Sequence, residues 1–172
     1  MIRKFNSESP DIHSSCFIAE SSDIIGKVKL AQDVNVWFGA VIRGDLNNIS
    51  VDEKTNIQDN CVIHVEGNNP ASIGKYVTIG HNAIIHGCKI EDYSLIGMGS
   101  IIMNNAVIGS ETIIGAGSLV TEHKQIPPGV LCMGSPARVI RKLTAEEKQN
   151  IKNSAKHYVE ISKLYSNSNI DK

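Results

Sequence analysis

Aliphatic residues recur every six positions through most of this chain, and few folds can accommodate such a repeat. From Leu30 the series runs through Val36, Ile42, Val51, Ile57, Ile63, Ile73, Ile79, Ile85, Ile90, Ile96, Ile102, Ile108, Ile114 and Val120. All but three of the steps are six residues long, the exceptions being nine, ten and five. Ile12, Ile18 and Ile24 carry the frame backwards, although Ile25 competes with Ile24. Four residues after many of these positions stands a small side chain, as at Ala40, Thr55, Cys61, Ala83, Ser94 and Ser100. Glycine often follows the aliphatic residue directly, as in Ile79-Gly80 and Ile96-Gly97.

An amphipathic helix would place apolar residues three and four apart, and a half-buried strand would place them two apart. Short strands that turn a corner every six residues fit, and hexapeptide repeats are a signature of the parallel β-helix. Three hexads close one triangular coil of about 18 residues, which predicts roughly five coils from Leu30 to about Thr121 and a further one before them. Coils stack at about 4.8 Å, giving a prism roughly 20–25 Å tall. The two longest steps predict small loops at 46–49 and 66–71. The expected organisation is one structural domain: a β-helix over 1–121, a connector over 122–143 rich in proline and glycine, and a helix over 144–166.

That helix is signalled by Thr144-Ala145-Glu146-Glu147, a capping box with Thr144 as N-cap and Glu147 reaching back. Ile151, Ala155, Tyr158 and either Ile161 or Ser162 form its apolar stripe, which should pack on the outside of the prism. The last six residues are expected to fray.

Composition narrows the functional classes. A chain of 172 residues with net charge −1 has no electrostatic case for nucleic acid or an anionic membrane. There is no run of 18 apolar residues and no apolar signal region at the N-terminus, so a cytoplasmic protein is expected. Cys16, Cys61, Cys88 and Cys132 form no CxxC pair and read as reduced, semi-buried thiols. Aromatics are only 5% of the chain, which suits stacked short strands with tight turns.

Folding the repeat into coils makes distant residues neighbours. One vertical column reads Arg43, His64, His86, Met103, and another reads Phe38, Asp59, His81, Met98. A lone histidine is usually a solvated turn residue, and His13, His123 and His157 are read that way. Three histidines in two adjacent coils, beside Arg43, Asp45, Gln58 and Asp59, point instead to a metal. Zinc takes tetrahedral nitrogen ligands at about 2.0–2.1 Å and, with three protein ligands, keeps a position open for water. His64 and His86 can meet that need from one chain. His81 lies five residues before His86, roughly 16 Å along an extended path, and leaves from another face. A neighbouring subunit could supply it, which predicts metal sites at the interfaces of a closed cyclic trimer.

The runs Val41-Ile42-Arg43-Gly44-Asp45, Asn56-Ile57-Gln58-Asp59-Asn60, His64, Gly80-His81-Asn82 and His86-Gly87-Cys88 together resemble the γ-class carbonic anhydrases and their close bacterial relatives. The tail Met133-Gly134-Ser135-Pro136-Ala137-Arg138 matches as well, so the resemblance covers about residues 10–166. It implies a left-handed β-helix, a homotrimer, and zinc (alternatively iron or cobalt) held by His64, His81 and His86 between subunits. It also implies reversible hydration of carbon dioxide to bicarbonate by hydroxide on the metal. By position, Gln58 would orient the hydroxide or bicarbonate, and Arg43 would pair with Asp59 or Asp45 across the interface or lock the trimer with them. Tyr158 would close over the site or serve as packing.

The sequence departs from the family's better-studied active members in their acidic, proton-shuttling loop. Leu46 follows Asp45, and in the short turn after His64 the only acid is Glu66. Fast hydration needs a proton exit as well as a nucleophile, so weak turnover is expected. The alternatives, in order, are a non-catalytic trimer stapled by metal, a hexapeptide acyltransferase using acetyl-coenzyme A, and a metal-dependent thioesterase acting on coenzyme A thioesters.

Overall fold

The computed structural model describes residues 1–167. The chain forms a parallel β-helix of about seven coils with one helix on its side, as the six-residue period predicts. Each coil contributes one short strand to each of three faces. On one face Val41–Val51, Val62–His64, Ile84–His86, Ile101–Ile102 and Leu119–Val120 stack in parallel. A second carries Asn35–Val36, Asn56–Ile57, Thr78–Ile79, Leu95–Ile96 and Ile113–Ile114. The third carries Ala71–Ile73, Lys89–Ile90, Val107–Ile108 and Gln125–Ile126. Asp23–Leu30 and Val41–Val51 are long enough to run from the first face onto the third.

The aliphatic repeat is the interior. Ile24, Ile42, Ile63, Ile85, Ile102 and Val120 pair in register down one face, and all are fully buried. The backward extension of the frame holds, since Ile18 pairs with Val36 and Ile12 with Leu30. The small residues four positions on line the inside of the corners, where a hydroxyl can reach backbone. Thr55 Oγ1 donates to Gly74 O at 2.7 Å, and Ser94 Oγ to Gly109 O at 3.0 Å. Corners are turned by residues with positive φ, among them Asn60, Asn82, Asn105, Gly39 and Gly99. Asparagine tolerates that conformation and glycine adopts it without a Cβ penalty.

Two differences from the expected organisation have plain causes. Strands continue through the segment expected as a connector: Gln125–Ile126 and Val130–Gly134 still pair with the coils before them. The spacing Val120, Ile126, Cys132 keeps the period of six, masked by the prolines and by a cysteine at an aliphatic position. Ala137–Lys142 then folds back antiparallel on Val130–Gly134 and leads into the helix. The expected loop at 46–49 lies within the strand Val41–Val51 as a register shift, with Gly44 opposite Gly26 and Ile49 opposite Val28. The second loop is a tight excursion closed by an antiparallel bridge between Glu66 and Asn69.

The helix Ala145–Asn167 starts at the expected capping box. Thr144 Oγ1 accepts from Glu147 N at 3.1 Å, and Glu147 Oε2 accepts from Thr144 N at 2.8 Å. Its buried stripe is Ile151, Ala155, Val159 and Ser162, with Val159 in the place expected for Tyr158. Lys148 and Lys152 fasten it to Glu111 at 2.8 and 3.0 Å. Beyond Asn167, the expected fraying of the last residues lies outside the described residues. Among those described, no helix is long and apolar enough to cross a membrane.

Candidate metal centre

The parallel register sets the positions of the histidines. Arg43 is paired with His64, and His64 with His86, at the ends of three successive strands. His64 Nδ1 lies 3.1 Å from His86 Nε2. Each ring's other nitrogen meets an oxygen: His64 Nε2 is 3.0 Å from Asp45 Oδ1, and His86 Nδ1 is 2.7 Å from Asn104 Oδ1. Arg43 donates to the second carboxylate oxygen, Asp45 Oδ2, of its own chain. Burial opposes ionisation of Asp45, but the hydrogen bonds from His64 and Arg43 outweigh it and hold the carboxyl below its usual range. An ionised Asp45 accepts a hydrogen bond from His64 Nε2–H. Asn104 can offer its carbonyl oxygen to His86 because its amide nitrogen donates to Glu66 Oε2 at 2.8 Å.

This arrangement fits a metal. With both rings neutral, the outward nitrogens carry the protons and the two facing nitrogens carry lone pairs, which repel unless a cation lies between them. In tetrahedral geometry two nitrogens each about 2.05 Å from zinc stand about 3.3 Å apart, close to the observed 3.1 Å. Metal-bound imidazoles keep their second nitrogen on a carboxylate or amide oxygen, as both rings do here.

His81 lies in the corner after Thr78–Ile79, and its Nδ1 is 2.9 Å from Asp59 Oδ2. Among the described residues no group of three His, Cys, Asp or Glu side chains within the chain is placed to hold a metal. The structure therefore brings His64 and His86 together and leaves His81 apart. Gln58, buried beside it, accepts from His81 N at 3.2 Å and donates to Asn56 Oδ1 at 3.1 Å. Asn56 in turn donates to Thr78 Oγ1 at 2.9 Å, so the Gln58 amide is fixed in orientation. Gln58, His81 and Tyr158 line one cleft of about 440 Å³ under the terminal helix, with Leu95, Met98 and Ile113 on its apolar wall. Tyr158 also sits edge-on to Trp37 at 5.6 Å. Burial, aided by the charge of Asp59, raises its phenol.

Sequence reasoning included Asn56 in a motif without giving it the role of holding Gln58, and it missed Asn104. Asn104 stands one residue past the His86 column, in an Asn-Asn pair that reads as another corner. Its tie to the site emerges only once the coil below His86 is built.

The geometry defines a hexapeptide-repeat β-helix carrying paired imidazoles that fit a metal. Residues 87–122 match the bacterial transferase hexapeptide repeat family. A carbonic anhydrase of Geobacillus kaustophilus is 41% identical over 96% of this chain and 91% of its own length. Gamma carbonic anhydrase 2, a mitochondrial protein of Arabidopsis thaliana, is also 41% identical over 94% of this chain, which spans only 60% of the plant protein's length. A hexapeptide transferase family protein from Anaplasma phagocytophilum superposes with TM-score 0.92, at 40% identity over 95% of this chain and 97% of that one. The chain belongs to the γ-class carbonic anhydrase family.

Proposed function

We propose that this protein reversibly hydrates carbon dioxide to bicarbonate at metal sites formed between copies of the chain in a homotrimer. Zinc, or alternatively iron or cobalt, would be held by His64 and His86 of one copy and His81 of a second. The facing ring nitrogens of His64 and His86, 3.1 Å apart with their outer nitrogens already engaged, carry this reading. When bound, such a metal supplies Lewis acidity that brings the pKa of water towards neutrality. Asp45 and Asp59 fix the aim of the His64 and His81 rings. Gln58, held by Asn56, would present its amide to the oxygen of the reacting water or of bicarbonate. Arg43 helps His64 to keep Asp45 ionised and would help lock the interface. Tyr158 would close one side of the site and exclude bulk water.

Assembly is supported by the outer surface of the face that carries His64 and His86. Val62, Ile84 and Ile101 pair in register there, each 38–39% exposed, making an apolar stripe suited to a second copy. Turnover would be slow. Leu46 cannot carry a proton, and Glu66 accepts a hydrogen bond from Asn104 rather than standing free beside the site.

Metal content per chain, measured together with mass in solution, tests the proposal. About one metal ion per chain in a trimer, with stopped-flow hydration above the buffer rate, is expected. A trimer that stays metal-free after incubation with zinc would overturn it. Metal in a trimer without hydration, and dissociation on chelation, would select the non-catalytic scaffold. A second reading, an acyltransferase or thioesterase working on coenzyme A thioesters, is favoured by the apolar cleft under the helix and by the hexapeptide transferase likeness. Calorimetric binding of coenzyme A would select it.

A further inference from the structure

The hydrogen bond from Asn104 to Glu66 joins residues 38 positions apart in sequence and passes across the intervening coil, which carries His86. Glu66 belongs to the coil of His64 and Asn104 to the coil after His86, so the pair brackets the ring from both sides. The route of this bridge is shaped by Gly87. A Cβ there would meet Asn104 Oδ1 at 2.4 Å and Asn69 Cβ at 2.8 Å, and Gly87 itself has φ +52°. No side chain fits at position 87 between Asn104 and Asn69. The Glu66 end is also anchored: Asn69 N donates to Glu66 O at 2.8 Å, and Asn47 Nδ2 donates to Gly67 O at 2.8 Å.

We propose that Asn104, oriented by Glu66, is a positioning residue that fixes the tautomer and aim of His86; for its bearing on metal this rests on the reading of His86 as a ligand. An amide has one acceptor end and one donor end. Because Glu66 offers only acceptor oxygens, the Asn104 NH2 group must face it, and the carbonyl oxygen must face His86 Nδ1. That places the ring proton on Nδ1 and leaves Nε2 bare, facing His64. Turning the Asn104 amide over would set carbonyl against carboxylate and NH2 against the ring, reversing the tautomer. Glu66 therefore acts on His86 through Asn104 and needs no contact with substrate.

The experiment combines zinc affinity, by competition with a chromophoric chelator, with the His86 tautomer, by nitrogen NMR of the metal-free protein. The unaltered protein is expected to show His86 protonated at Nδ1. Asn104→Ala should lose that signature and lower zinc affinity roughly 10- to 100-fold, with the metal-free unfolding midpoint unchanged. Glu66→Lys, at an exposed position, should do the same by attracting the Asn104 oxygen. The double variant Glu66→Lys/Asn104→Asp should recover both readouts, since the carboxylate can accept from His86 while pairing with the lysine. An Nδ1 proton absent from the unaltered protein, or single variants that keep both tautomer and affinity, would overturn the proposal. If the unaltered protein binds no zinc, the metal reading falls, and the tautomer comparison alone still decides the role of Asn104.

Discussion

His64 Nε2 lies 3.0 Å from Asp45 Oδ1, while the other oxygen of the same carboxylate takes Arg43. The two bonds do different work. Arg43 is 43% exposed, and a pair that open contributes about 0–1 kcal/mol to folding. Asp45→Ala leaves His64 without its acceptor and should weaken metal binding about 10- to 100-fold. Arg43→Ala should lower the unfolding free energy by less than about 1 kcal/mol. Chemical denaturation of the metal-free protein and metal competition separate the two effects.

If the metal site is shared between copies, its ligands should complement in mixtures. His64→Ala and His86→Ala should each release the metal. A His81→Ala protein should regain it only after refolding together with a protein lacking His64 and His86. Normal metal content in His81→Ala alone would refute the shared site, and elemental analysis of the mixtures decides.

Ile84 is 39% exposed at the centre of the apolar stripe. A lysine there removes contact area and sets like charges against each other around a three-fold axis. Ile84→Lys should give a monomer by sedimentation with bound metal lost. Exposed substitutions usually change stability by no more than about 0.5 kcal/mol, so the monomer should remain folded.

Arg141 and the Thr144 backbone hold the Glu147 carboxyl well below its ordinary range, at about 2. A depressed carboxyl supports the folded state above its unfolded pKa, about 4.3, and loses that support as pH falls through the folded value. The start of the terminal helix should therefore loosen between about pH 4.3 and 2, followed by the far-ultraviolet helical signal. Thr144→Ala should lower stability by about 1 kcal/mol at neutral pH.

Burial pushes the Cys61 and Cys88 thiols up to about 12, so both stay protonated near neutrality. Neither should react with thiol reagents at pH 8 in the folded protein. Ile79→Ala, which empties a fully buried position, should cost about 2–5 kcal/mol and speed their labelling.

The repeat was legible because burial on a coil imposes one strict period, and that period also placed His64 and His86 in one column before any geometry was known. Legibility failed where chemistry interrupted the alphabet. Cys132 fills an aliphatic slot, and Pro127 and Pro128 hid Ile126 as a further strand. Tyr158 also follows this rule. A helix stripe drawn by period alone admits either Tyr158 or Val159, and the prism face selects Val159 for burial. Asn104 was out of reach for another reason. Its role depends on an amide orientation set by a residue 38 positions away, which no local pattern encodes.

The excursion at Glu66–Asn69 leaves the interior undisturbed, since Val51 still pairs with Ile73 beyond it. A single residue added along a face would instead put every later side chain out of phase, turning interior aliphatics towards water. Change in chain length is thus channelled to the edges of the prism. Here the edges hold the segments flanking the histidines, so insertions and deletions can retune their surroundings while the histidine columns keep their register.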